Sequence, residues 1–151
     1  NVAYTKALGF YDDVLAYDAI GGMDASVSSV FIDIAGNAQV RAAVHTRFRD
    51  QLKYSCAVGA THWDVPRPEA DLPGPKPTMF FAPDIIRKRV AELGPAEFQR
   101  LHAVAWRSFL PTAARTTRVV EAHTLEDAAR VFADLASGRA LPSDGHVVVL
   151  A

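Results

Sequence analysis

Two continuous apolar runs joined by an amphipathic helix constrain this chain more than any other feature. Residues 30–36 read VFIDIAG and residues 52–60 read LKYSCAVGA. Unbroken apolar runs of this length belong to strands covered on both faces, as in parallel sheets. Between them Val40, Ala43, Val44, Phe48 and Leu52 recur at spacings of three and four, with Arg41, Arg47 and Arg49 on the other side. That spacing predicts a helix with one buried stripe. Strand, glycine turn, helix, strand is the grammar of a βαβ unit, so the fold class expected is α/β.

The rest of the chain extends this grammar. VLAY at residues 14–17 reads as a short strand, followed by a Gly- and Ser-rich stretch. Residues 62–77 hold five of the nine prolines, which makes them an extended loop too long for a plain connector. MFFAP at residues 79–83 reads as a further strand. Asp84 then caps a helix closed by Gly94, and Pro95 opens another that carries Phe98, Leu101, Ala105 and Phe109. RVVEA at residues 118–122 and HVVVL at residues 146–150 are strands flanking a helix that starts at a Thr124–Asp127 capping pair and ends at Gly138. The chain opens on NVAYTKALG, which reads as the end of a helix stopped at Gly9, so a longer or processed polypeptide is expected.

Composition excludes several classes. The 151 residues are 50% hydrophobic and 22% charged, with a net charge of −1, which fits a globular domain and gives no basic footprint for nucleic acid. No apolar run reaches the roughly 20 residues that span a bilayer, and no secretory signal opens the chain. Cys56 is the single cysteine, so neither an internal disulfide nor a cysteine-based zinc cluster is possible within the chain. A cytoplasmic setting is expected, with no membrane and no nucleic-acid partner.

At VFIDIAGN, CAVGATHW and PTMFFAPD the chain resembles the medium-chain dehydrogenase/reductase superfamily. Within it, the similarity is greatest to a bacterial and fungal group of zinc-free, quinone-oxidoreductase-like proteins of unassigned function. The resemblance covers essentially the whole chain. It implies a fourth Rossmann strand ending in a D-x-x-G turn, here Asp33-Ile34-Ala35-Gly36, a fifth ending at Val58-Gly59, and a sixth from Met79 to Phe81. The tail around LEDAARVFADLASGRA is similar to the segment that returns to a GroES-like catalytic domain. The implied architecture is a partial Rossmann-like parallel sheet over residues 1–110, with residues 111–151 as that return segment. The phosphate-binding G-x-G-x-x-G turn and the first two strands of such a fold are absent. With strand order 3-2-1-4-5-6, the VLAY and VFIDIA strands cannot be neighbours, and a separate N-terminal segment is expected to complete the sheet.

The resemblance implies NADP or NAD as cofactor in the full-length protein, without zinc, and a small carbonyl or enone/quinone substrate. Ala35, Gly36, Val58, Gly59 and Ala60 would line the nicotinamide side of the cleft, since ligands of open α/β sheets bind at the carboxyl ends of strands. The plainer reading, in which these glycines only make turns, is the less favoured. Phe80, Phe81 and Pro83 would add an aromatic wall, although strand alternation sends one of the two phenylalanines into the core. His62, beside Trp63 and Asp64, is the one catalytic candidate, as a hydrogen-bond donor or acid; an ordinary surface role outweighs it. Asp33 is expected to tie down its own turn. Arg87, Lys88 and Arg89 read as a solvated helix face, and Cys56 as an inert core residue. His45, His102, His123 and His146 show no paired metal-ligand spacing. A homodimer would pair through the edge of the strand carrying Met79 and Phe81. The alternative reading is a non-catalytic Rossmann-like binding or oligomerisation module.

Overall fold

The computed structural model describes residues 1–59 and 71–149. Helices and short parallel strands alternate along the chain, so the fold class is α/β. Contacts divide it into two compact units, one formed by Leu15–Glu92 and the other by Asn1–Val14 together with Leu93–Ala151.

The first unit is built on a three-stranded sheet of order β1-β2-β3, with β1 Ser29–Asp33, β2 Leu52–Ala57 and β3 Thr78–Met79. Both pairings are parallel, and Asp33, Ala57 and Met79 stand side by side at the carboxyl end. Helix α2 (Ala38–Phe48) connects β1 to β2. It begins where Asn37 Oδ1 accepts from the amides of Gln39 and Val40 at 2.9 and 3.1 Å, an N-cap that satisfies two otherwise orphaned donors. It ends at Phe48 because Arg49 takes φ +46°, outside helical geometry. Leu52, expected on the helical stripe, therefore opens β2 and is buried there.

The two faces of this sheet differ sharply. Residues paired across parallel strands share a face, so Phe31, Asp33 and Ser55 point one way and Val30, Ile32 and Tyr54 the other. The first face meets α2, through His45 on Ser55 and Arg41 on Asp33. On the second, Val30 is 61% and Ile32 48% exposed. The outer edge of β1 pairs with no strand among the described residues.

VLAY is not a strand, contrary to the sequence reading. Residues 14–16 carry no regular structure, and Tyr17–Gly22 forms a 3-10 helix that packs Ile20 inward against α2. Leu15 and Tyr17 stay exposed, so this stretch offers no buried face to a sheet. MFFAP is also shorter as a strand than expected. Only Met79 of it lies in β3, while Ala82 and Pro83 already belong to helix α3 (Ala82–Leu93). Proline favours the first helical turn, where its missing N–H costs nothing. Asp84 accordingly sits inside that turn, paired with Arg87, rather than capping it.

In the second unit, helix α1 (Val2–Ala7) is tied to helix α4 (Pro95–Thr116) by the Tyr4 hydroxyl, which donates to Thr116 O at 2.8 Å. Strands β4 (Arg118–Ala122) and β5 (Asp144–Val148) pair in parallel across helix α5 (Leu125–Ala136). Thr124 caps α5 as expected, its Oγ1 accepting from Asp127 N at 3.0 Å. Arg118 grips Asp144 at the start of the pair, with Nη2 2.8 Å from Oδ2.

Candidate functional site

The carboxyl tips of β1, β2 and β3 form one edge, organised by Asp33. Its side chain is buried. Oδ1 accepts from Gly36 N at 2.7 Å, closing the D-x-x-G turn. Oδ2 accepts from Arg41 Nε and Nη2 at 3.0 and 2.8 Å. Its main-chain oxygen accepts from the amides of Val58 and Gly59 at 2.9 and 3.4 Å. Asp33 thus ties its turn, as expected, and also draws the end of β2 onto the end of β1. The approach is so close that a Cβ on Gly59 would lie 2.1 Å from Ile34 O. Only glycine fits there, because the obstructing atom is backbone.

The registers continue one residue past the strands. Val58 N bonds to Asp33 O, and Phe80 N donates to Ala57 O at 2.8 Å. Ile34, Val58 and Phe80 are thus the first residues past the three strand ends. All three are exposed. The edge offers a ligand an apolar shelf, while the amides of Gly36, Val58 and Gly59 are spent inside the protein.

Of the cofactor-lining residues expected from the sequence, Ala35, Gly36, Val58 and Gly59 do come together at this edge. Phe80 joins them. Phe81 follows the strand and is 55% exposed, so neither phenylalanine is a core residue, contrary to strand alternation. A strand of two residues ends before alternation can bury either ring. Pro83 lies in the first turn of α3. Ala60, His62, Trp63 and Asp64 lie outside the described residues. Arg87, Lys88 and Arg89 pair with Asp84 and Glu92 along an exposed helix face, the solvated role expected of them. Cys56 is buried. Among the described residues, no group of three or more His, Cys, Asp or Glu side chains could hold a metal ion, and no helix is long and apolar enough to cross a membrane.

Three participants escaped the sequence reading. Ile34 was signalled by its period-two spacing from Val30 and Ile32. Arg41 and His45 carried no comparable signal, because what they touch is set by how α2 packs on the sheet.

A family model described as "Protein of unknown function (DUF2855)" matches residues 1–141. The chain belongs to the DUF2855 family. No curated protein and no solved structure matches it. The match spans both compact units, so the edge described here lies within the DUF2855 region.

Proposed function

We propose that this DUF2855 member contributes the later half of a dinucleotide-binding sheet to a zinc-independent, NAD(P)-dependent oxidoreductase of medium-chain dehydrogenase/reductase type. Its substrate would be a small carbonyl or an enone or quinone. The observation that carries the reading is the alignment of three parallel strand tips, locked by Asp33, at the edge where open α/β sheets bind ligands. Ile34, Val58 and Phe80 suit a flat, weakly polar ring such as nicotinamide, and their apolar surface would keep water from it. NADPH or NADH, when bound, supplies the hydride. Gly59 and the Asp33 turn hold the ends of β1 and β2 close together.

The edge of β1, unpaired among the described residues, and the exposed Val30 and Ile32 support a further part of the reading. Bare strand edges and apolar sheet faces are costly in water. Additional polypeptide bearing the first strands and the phosphate-binding turn would cover them, and β4-α5-β5 would belong to the GroES-like partner domain. A homodimer through the outer side of β3, at Met79 and Phe81, fits the same arrangement. A second reading, a non-catalytic binding or oligomerisation module, draws support from the tip amides already consumed by Asp33.

The test is titration of the full-length protein with NADPH and NADH, followed by nicotinamide fluorescence. Saturable enhancement, weakened at least tenfold by Ile34→Asp at its exposed position, supports the oxidoreductase. Absence of any signal at millimolar cofactor overturns it in favour of the module.

A further inference from the structure

Among the described residues of the first unit, His45 is the most deeply buried titratable side chain, and the proposed chemistry leaves it unused. Its exposure is 0%, and Ser55 beside it is at 1%. Neither can meet a substrate. The imidazole bridges three segments distant in sequence. Nδ1 lies 2.9 Å from Pro73 O, Nε2 lies 2.9 Å from Ser55 Oγ, and the Phe31 ring stands edge-on at 6.5 Å. A carbonyl oxygen can only accept, so Nδ1 carries the proton. Nε2 shares its hydrogen bond with the Ser55 hydroxyl, which can donate or accept.

The segment that Nδ1 grips, residues 71–77, leads directly into β3. A second contact holds it beside the first. Gly74, at φ +84°, lies so close to the main chain of Arg49 that a Cβ there would be 2.7 Å from Arg49 O. Arg49 has the one positive φ among described non-glycine residues. Beyond this strap, β3 has little of its own to hold it. It is two residues long, both exposed, with Phe80 N on Ala57 O just past its end. By contrast, β1 and β2 pair over five positions and are covered by α2.

We propose that His45 is a latch. Through its Nδ1–H bond to Pro73 it clamps the strap, and the strap holds β3 against β2. With the bond released, β3 and Phe80 detach as a local opening while the β1–β2 pair stays folded. His45 is therefore a positioning residue for Phe80 at the strand tips. The inference concerns the protein without ligand and does not depend on the identity of any cofactor.

Two isosteres separate the two ends of the imidazole. Asparagine places a donor near Nδ1, whereas glutamine reaches the Nε2 position. Amide hydrogen exchange is read by NMR on the full chain with no ligand added. In His45→Gln, the amides of Thr78 and Phe80, which face β2, exchange roughly tenfold faster, the effect of one lost hydrogen bond, while those of Asp33 and Cys56 in the β1–β2 pair hold. In His45→Asn they stay within about threefold of the parent, even though asparagine is the poorer helix former. Equal acceleration in both variants, or loss spread equally over β1 and β2, overturns the latch. Imidazole nitrogen shifts of the unsubstituted protein give a second readout if either variant fails to fold. A protonated Nδ1 is required, and a bare Nδ1 refutes the proposal.

Discussion

Replacing Asp33 by asparagine tests the organising role of this residue with almost no change in shape. The carboxylate serves two directions at once, Gly36 N through Oδ1 and the Arg41 guanidinium through Oδ2. An amide has one oxygen. Whichever way the substituted side chain turns, its NH2 group faces a donor, so at least one interaction becomes a donor–donor contact. A charge-assisted hydrogen bond contributes about 1.5–3 kcal/mol. Breaking a fully buried ion pair costs about 3–5 kcal/mol, and an exposed pair under about 1 kcal/mol. With side-chain exposures of 6% for Asp33 and 16% for Arg41, Arg41 can recover some hydration and Asp33 almost none. The expected loss for Asp33→Asn is about 3 kcal/mol. Arg41→Met should cost more, since it strands the less accessible charge. The double variant should fall short of the sum by about 2 kcal/mol. Urea denaturation of the full-length protein at constant m-value measures all three. A loss under about 0.5 kcal/mol for Asp33→Asn, or strict additivity, would refute the two-way tie.

Two other outcomes follow from the geometry. Gly59→Ala brings a methyl group to 2.1 Å from Ile34 O, so the β1 and β2 tips must part. The expected cost is roughly 2–3 kcal/mol, visible as a lowered Tm; an unchanged melting curve would contradict the close approach. In the other unit, the hydrogen-bonded Arg118 guanidinium holds the Asp144 carboxyl below its ordinary range, against the opposing effect of desolvation. A carboxyl with a depressed folded pKa stabilises at neutral pH and loses that contribution as pH falls through its folded value. The Tm difference between the parent and Arg118→Met should thus be constant from pH 8 to about pH 5 and shrink below about pH 4. A difference that widened on acidification would reverse the sign of the argument.

The parts of the fold legible in the residues are those governed by local repetition. The apolar runs of β1 and β2, the Thr124 cap and the two strands β4 and β5 are all recognisable, because such signals need only neighbouring residues. The stripe of α2 was misplaced, since Arg41, His45 and Phe48 face the sheet while Ala43 is exposed and Leu52 lies in β2. Short elements were the failures. VLAY has strand composition but runs into the 3-10 turn that buries Ile20, and MFFAP yields to the helix that Pro83 favours. The candidate edge was half legible: glycines mark turns and close approaches, which pointed to Gly36 and Gly59. The phenylalanines were misjudged because alternation presumes a strand long enough to alternate.

By itself, then, the order of residues determined an α/β chain whose strands run parallel, with turn glycines at the ends of β1 and β2. Only the packed structure decided that Asp33 meets Arg41 and that His45 joins Ser55 to Pro73, contacts spanning 8, 10 and 28 positions. The reason is physical. Strand and helix preferences arise within a few residues, whereas a buried polar group finds its partner only after the helix has closed on the sheet and removed water as the alternative.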